Sequence, residues 1–128
     1  MISIVLPYPP SVNAYWRHIP TLGRSKYSRG GVRVLISERG REYRTSVGKH
    51  VRLLRLRGPL TARLAISIDV FPPDHRRRDL DNALKAILDS LQAAGVFEDD
   101  EQIDQIAVMR REVVPPGRVK VELLELPA

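Results

Sequence analysis

The residues best suited to chemistry in this sequence surround one Asp-Leu-Asp-Asn segment. Asp79 and Asp81 are followed by Asn82 and, one helical turn beyond Asp81, by Lys85. Carboxylate and amide oxygens are hard ligands that suit Mg²⁺, which keeps several waters and needs only a few protein groups. A metal held there would polarise a phosphoryl oxygen and activate water, while Lys85 and the preceding Arg76-Arg77-Arg78 neutralise phosphate charge. This pattern predicts a metal-dependent phosphodiesterase.

Each of these groups also has an ordinary structural interpretation. A carboxylate at position 79 can cap the helix that follows it, and Asp81 can form an ion pair with Lys85 four residues on. Asp99 and Asp100 offer two further carboxylates, but they also fit a plain acidic turn after a helix. Clustered carboxylates repel one another unless a cation lies between them, so a true cluster would indicate an ion.

The charge of the chain is strongly asymmetric. The 128 residues carry a net charge of +6, and 12 Lys/Arg against 2 Asp/Glu fall within residues 1–60. Positive charge concentrated in one half is typical of a phosphate-binding surface, and it indicates a nucleic-acid partner. With no cysteine, a disulfide scaffold, a zinc ribbon and a thiol nucleophile are excluded. Since no signal peptide or membrane span is evident, we expect a cytoplasmic protein without membrane contact or organic cofactor.

Helix and strand patterns alternate along the chain. Strands are predicted at residues 2–6, 64–70, 103–114 and 118–126, and helices at 37–57 and from residue 80 to Gly95. The last two strands, joined by Pro115-Pro116-Gly117, are predicted to form a hairpin. The expected fold class is α/β (α+β), one domain over residues 1–128. It has a mixed sheet of about four strands packed with two main helices, in the order β-α-β-α-β-β.

A long basic segment at residues 7–37 is predicted to be mostly loop, with a hairpin pairing Tyr27–Ser28 with residues 32–36 across Gly30-Gly31. A long loop in a small domain is more often functional than idle. Its aromatic residues (Tyr15, Trp16 and Tyr27) could stack on unpaired bases, although a lone tryptophan is more often a core anchor. The three histidines (His18, His50 and His75) show no metal-ligand spacing.

Two stretches of the sequence resemble the RusA family of Holliday-junction resolvases. One runs from Arg76 to Lys85 and continues at Phe97-Glu98-Asp99-Asp100-Glu101-Gln102; the other is the opening Leu6-Pro7-Tyr8-Pro9-Pro10-Ser11-Val12-Asn13 with Tyr15-Trp16-Arg17-His18. The resemblance implies a homodimeric endonuclease, dependent on Mg²⁺ with Mn²⁺ as an alternative, that nicks four-way DNA junctions symmetrically. Carried over by position, it makes Asp79, Asp81 and Asp100 the essential acidic residues, Lys85 the functional lysine and Asp99 the neighbouring acid.

The expected site therefore has three parts. The catalytic residues are Asp79, Asp81, Asp100 and Lys85, and the metal ligands are Asp79, Asp81, Asp100 and Asp99. The expected DNA-binding residues are Arg76, Arg77, Arg78, Asn82, Lys85, Arg17 and Trp16.

The spacing of the carboxylates raises a geometric problem. A helix over residues 81–95 is about 21 Å long, which places Asp79 and Asp81 at one end and Asp99 and Asp100 near the other. We therefore expect a two-fold dimer to bring Asp100 of one chain near Asp79 and Asp81 of the other. A four-way junction has two-fold symmetry, and paired nicks need two sites, which agrees with a dimer.

Two alternative functions remain open from the sequence. The first is a non-catalytic basic module that binds branched or duplex DNA, with a purely structural acidic turn. The second is a less specific metal-dependent nuclease that acts on flaps or other branched DNA. Metal-dependent nicking separates the first from a resolvase, and a comparison of junction, flap and linear substrates separates the second.

Overall fold

The computed structural model describes residues 1–21 and 31–128, with side chains described at 1–17 and 35–128. The strands are β1 (Ile2–Pro7), β2 (Trp16–Thr21), β3 (Gly31–Ile36), β4 (Leu64–Phe71), β5 (Ile103–Arg110) and β6 (Arg118–Glu125). The helices are α1 (Val12–Tyr15), α2 (Glu38–Arg52) and α3 (Leu84–Ala93), and short 3-10 turns cover Leu80–Ala83 and Asp100–Gln102. In the described part of the chain, no helix is long and apolar enough to cross a membrane.

Four of the strands form a mixed sheet in the order β1-β6-β4-β5. Strand β4 is central, antiparallel to β6 and parallel to β5. Its residues alternate strictly between the two faces, with Leu64, Ile66, Ile68 and Val70 all at most 3% exposed. The α+β class and the four-stranded mixed sheet with two main helices are confirmed.

The predicted hairpin of the last two strands is wrong. β5 and β6 lie on opposite sides of β4, and the segment between them crosses the end of that strand. There the backbone N–H of Arg111 donates to the carbonyl of Val70 at 2.8 Å, and that of Val114 donates to Pro72 at 2.9 Å. The alternation of β5 and β6 is the same for a hairpin and for a crossover, so the pattern could not distinguish them. The central strand β4, whose inward residues are all apolar and buried, takes a partner on each edge.

Helices α2 and α3 cover one face of this sheet. The apolar stripe of α2 is buried at Tyr43, Val47 and Val51, and α3 buries Ile87 and Leu91 against the same core. Ser37 caps α2, its hydroxyl accepting from the N–H of Gly40 at 2.9 Å. The helix ends at Arg52 rather than near residue 57, and the chain then turns through a positive φ of 52° at Arg55.

The segment at residues 7–37 holds more regular structure than expected. It contains α1 and a two-stranded antiparallel sheet, in which β3 pairs with β2 from Trp16↔Ile36 to Thr21↔Gly31. The predicted strand at residues 32–36 is confirmed, but its partner is β2. The residues predicted to pair with it, Tyr27–Ser28, lie outside the described residues.

A polar cluster ties α1, α2 and α3 together. The hydroxyl of the fully buried Tyr15 donates to the carboxylate of Asp89, and Arg44 reaches the same carboxylate oxygen through Nε at 2.8 Å. Arg44 Nε also lies 3.0 Å from the Tyr15 hydroxyl. Burial, followed by the hydrogen bond to Asp89, raises the pKa of Tyr15. Arg44 lies off the apolar stripe of α2 and is half-buried in this cluster, which fixes α1 and α2 on the helical segment whose start carries Asp81.

Candidate active site

The loop between β4 and α3 is organised by a residue that the sequence did not single out. One carboxylate oxygen of Asp74 accepts from Nη1 of Arg78 at 2.7 Å and from the backbone N–H of Arg76 at 2.9 Å. These bonds, led by the one from Arg78, lower the pKa of Asp74 to about 2. The sequence signal was an aspartate directly after Pro72-Pro73, where its side chain can bond the backbone two residues on.

The three consecutive arginines of this loop have different environments. Arg78 is paired with Asp74, its guanidinium carbon lies 5.8 Å from the centroid of the Tyr8 ring, and its side chain is 27% exposed. Arg76 is 84% exposed and lies 3.8 Å from Asp74, and Arg77 is exposed. Arg76 and Arg77 are therefore available to a phosphate, whereas Arg78 is largely committed to shaping the loop.

Asp79 and Asp81 lie at the start of the helix that ends in α3. Asp79 occupies the N-cap position of the 3-10 turn, with φ −77° and ψ 138°, but its side chain makes no capping hydrogen bond. The ion pairs among the described residues join other side chains, so Asp81 is not paired with Lys85. The structure therefore has neither the helix cap by Asp79 nor the ion pair of Asp81 with Lys85 that would have explained these carboxylates structurally. Both are exposed at the positive end of the helix dipole, with Asn82 half-buried and Lys85 exposed beside them.

Asp99 and Asp100 lie beyond the other end of α3. The carboxylate of Asp99 caps the second 3-10 turn, where its Oδ1 accepts from the N–H of Glu101 at 2.9 Å. Gln102 completes this capping box and is buried, with its amide donating to the carbonyls of Leu60 and Ala62 at 2.9 Å. Asp100 is exposed, and its backbone N–H donates to Oε1 of Gln92 at 3.2 Å.

Within one chain, the pair Asp79 and Asp81 lies far from the pair Asp99 and Asp100. The helical path from Asp81 to Gln92 advances by eleven residues, a distance of roughly 17 Å. Among the side chains described at residues 1–17 and 35–128, no group of three or more acidic or histidine side chains is placed to hold a metal ion. The donor atoms nevertheless fit a divalent metal in kind, because all are carboxylate oxygens on a basic protein. Each end of α3 therefore carries carboxylates of the kind that bind a divalent metal.

Two of the three aromatic residues singled out in the long segment, Tyr15 and Trp16, pack against each other in the fold. Tyr15 is fully buried, so the expectation that it stacks on bases is wrong. Trp16 is half-buried and packs edge-on against Tyr15, with ring centroids 4.9 Å apart at 82°. Arg17, at the start of β2, is exposed. Tyr27 lies outside the described residues.

A cleft of about 360 Å³ lies beside Asp79. It is bounded by residues 74–79 on one side and by the segment after β5 on the other, and Nη2 of Arg110 bonds the carbonyl of Arg78 across it at 2.6 Å. Sequence reasoning missed the contribution of Tyr8, Arg110, Arg111 and Glu112, since they come from distant parts of the chain. The resemblance had included Tyr8 in a proline-rich motif but gave it no role.

Comparison with known proteins identifies the family to which the chain belongs. The sequence pattern of the family described as endodeoxyribonuclease RusA matches residues 7–124. The chain belongs to this family of nucleases, for which a divalent metal cofactor is implied. The resemblance and the prediction of a nuclease are thus confirmed.

Several named relatives extend over nearly the whole chain. A crossover junction endodeoxyribonuclease of Enterobacteria phage HK97 is 47% identical over 124 residues, 97% of this chain and 94% of the relative. Those of Escherichia coli K12 and Enterobacteria phage 82 are each 37% identical, covering 97% and 96% of this chain and 94% and 93% of the relatives.

Proposed function

We propose that the protein resolves four-way DNA junctions by Mg²⁺-dependent hydrolysis, with Asp79 and Asp81 at the reacting centre. The observation that carries this proposal is the pair of exposed carboxylates at the start of the helix, one of them an N-cap residue that makes no cap. The relatives are named crossover junction endodeoxyribonucleases, which supplies the substrate class. A DNA substrate of this kind supports the predicted cytoplasmic location.

The side chains around this centre divide the work of phosphate hydrolysis. Asp79, Asp81 and Asp100 would hold the metal, which, when bound, supplies a Lewis acid and a water of lowered pKa. Lys85, four residues after Asp81, places an ammonium near the phosphate. Exposed Arg76 and Arg77 neutralise neighbouring phosphates, with Asn82, Arg17 and Trp16 as further candidate DNA contacts. The capping bond of Asp99 favours a role in holding the turn, with its free oxygen as an additional ligand.

A homodimer with a shared site accounts for the separation of the acidic residues. β5 is an edge strand of the four-stranded sheet, and Ile106 and Met109 on it are each 48% exposed. Such exposed apolar side chains on an open edge favour association. Antiparallel pairing of two β5 strands about a two-fold axis would set Ile103 opposite Arg110 of the partner subunit. Asp100 comes three residues before Ile103, and Arg110 bonds the residue before Asp79. The pairing would therefore bring Asp100 of one subunit toward Asp79 and Asp81 of the other.

The test is cleavage of a labelled four-way junction with Mg²⁺, comparing the wild type with Asp81→Asn. Paired symmetric nicks by the wild type, lost in the variant while junction binding is retained, would support the proposal. Equal cleavage of flaps and junctions would indicate the less specific nuclease. Tight binding without nicks from either protein would reduce the protein to a DNA-binding module and contradict the proposed metal site.

A further inference from the structure

The cleft beside Asp79 has two surfaces of different character. The less exposed part of its lining, its floor, is mostly apolar and includes Tyr8, Val70, Pro72, Leu80, Ala83 and Val113, beside the Arg78–Asp74 ion pair. Its exposed rim is polar and mostly cationic, with His75, Arg76, Arg77, Arg110 and Glu112 beside Asp79. A phosphate group alone needs only the cationic rim, whereas a ligand that also covers the floor needs an uncharged surface. The combination fits a nucleotide, which has a planar base and an anionic phosphate.

Two flat groups already lie together at the floor. The guanidinium carbon of Arg78, held by Asp74, lies 5.8 Å from the centroid of the Tyr8 ring. Gly117 packs against the base of the Tyr8 side chain: a Cβ at this position would lie 2.9 Å from Cβ of Tyr8 and 3.1 Å from Pro73. Nucleobases stack on aromatic rings and on arginine planes alike, so a third planar group can join this arrangement.

The cleft is too small for a duplex, and a base within a duplex hides both its faces against its neighbours. A base enters a pocket of this kind only after leaving the stack, and unstacking costs least where pairing is already disturbed. The crossover of a branched DNA is such a place. Asp79 contributes to both the wall of the cleft and the reacting centre, so a nucleotide here would adjoin the phosphate being cut.

We propose that this cleft binds one unstacked nucleotide next to the scissile phosphate, with its base against Tyr8. This inference rests on the proposed function and adds to it a binding site for a base. The position of cleavage would then depend on a base that can leave its stack. The polar side chains of His75, Arg76 and Glu112 would contact that base and distinguish one base from another.

The test combines junctions that lack single bases with variants of Tyr8. Junctions with an abasic position on either side of the nick are compared with the intact junction for single-turnover cleavage and for binding without metal. For the wild type, removal of one flanking base is expected to slow cleavage about tenfold, as for the loss of one base–aromatic stack. Tyr8→Leu is expected to slow cleavage of the intact junction by a similar factor and to lose sensitivity to the abasic position. Tyr8→Phe, which keeps the ring, should retain the sensitivity to the abasic position.

The outcomes separate this proposal from the function on which it rests. Cleavage of the intact junction together with equal cleavage of both abasic junctions would overturn the nucleotide site and leave the nuclease standing. If Tyr8→Leu and the abasic position each slow cleavage and the two factors multiply when they are combined, the changes act independently. That result would also overturn the nucleotide site, because groups that contact each other give non-additive losses. Absence of cleavage of the intact junction would contradict both. If Tyr8→Leu fails to fold, the abasic scan of the wild type decides the question.

Discussion

The backbone N–H of Asp100 donates to the side-chain carbonyl of Gln92 at 3.2 Å, which fixes Asp100 beside the last turns of α3. Asp79 and Asp81 lie at the opposite end of the same helical segment. The helix therefore acts as a rigid spacer that keeps the acidic pairs apart within a chain.

Asp100 and Asp99 are neighbours with different environments, so the same substitution should affect them differently. Asp100→Asn removes a proposed ligand and should slow single-turnover junction cleavage by at least about 100-fold. Asp99→Asn keeps a side-chain oxygen for the cap, because asparagine caps helices as well as aspartate does, and should slow cleavage less than about tenfold. A loss from Asp99→Asn equal to that from Asp100→Asn would show that Asp99 is an equally important ligand.

Arg77 should contribute to binding through its charge. Arg77→Ala should weaken junction binding to a similar extent across DNA sequences and reduce the slope of log affinity against log salt by about 1. The measurement is a binding titration by fluorescence anisotropy at several salt concentrations without metal. Arg77→Lys, which keeps the charge, is the matched control and should retain the slope. An unchanged slope for Arg77→Ala would exclude Arg77 from phosphate contact.

The loop before Asp79 should keep its conformation at pH values above about 4. Because the pKa of Asp74 in the folded protein is lowered to about 2, its bonds to Arg78 and Arg76 stabilise the fold above the ordinary aspartate value. That contribution is lost as pH falls from about 4 toward 2. NMR titration of the carboxyl carbon should give a midpoint near 2 in the wild type and a higher one in Arg78→Ala. A wild-type midpoint near 4 would contradict the observed pairing.

The cluster of Asp89, Tyr15 and Arg44 should contribute measurably to stability. Asp89→Ala leaves the buried Tyr15 hydroxyl and the half-buried guanidinium without their shared acceptor, so the free energy of unfolding should fall by about 1–3 kcal/mol. Asp89→Asn keeps a neutral acceptor and should lose less. Urea denaturation measures the free energy of unfolding of both variants. If Asp89→Ala unfolded at the same urea concentration as the wild type, the role assigned to the cluster would be contradicted.

Local patterns predicted most elements of this fold, whereas contacts between distant segments were less accessible. The alternation of β4 and the apolar stripes of α2 and α3 come from residues a few positions apart, and all three elements were found. The crossover between β5 and β6 depends on which strand fills the space beside β4, and the pairing of β2 with β3 spans residues far apart in sequence. The hairpin prediction at residues 103–126 therefore failed although both strands exist.

The candidate site shows the same division. Asp79, Asp81 and Lys85 could be selected from spacing within one helical segment, and helix length alone predicted that Asp100 lies far from them. The commitment of Arg78 to Asp74 and Tyr8 was not evident, since consecutive arginines are identical in sequence and differ only in what surrounds them. The cleft joins Tyr8 to Arg110 through the folded sheet, which a local pattern does not encode.

The most direct test of the shared site mixes two inactive variants. Asp81→Asn and Asp100→Asn are purified separately, allowed to exchange subunits, and assayed for nicking of a four-way junction with Mg²⁺. If Asp100 of one subunit completes the site of the other, a mixed dimer has one intact site, so nicking should return to about a quarter of the wild-type level as single, unpaired cuts. Nicking that stays at the level of the separate variants, despite demonstrated subunit exchange, would contradict a site shared between subunits.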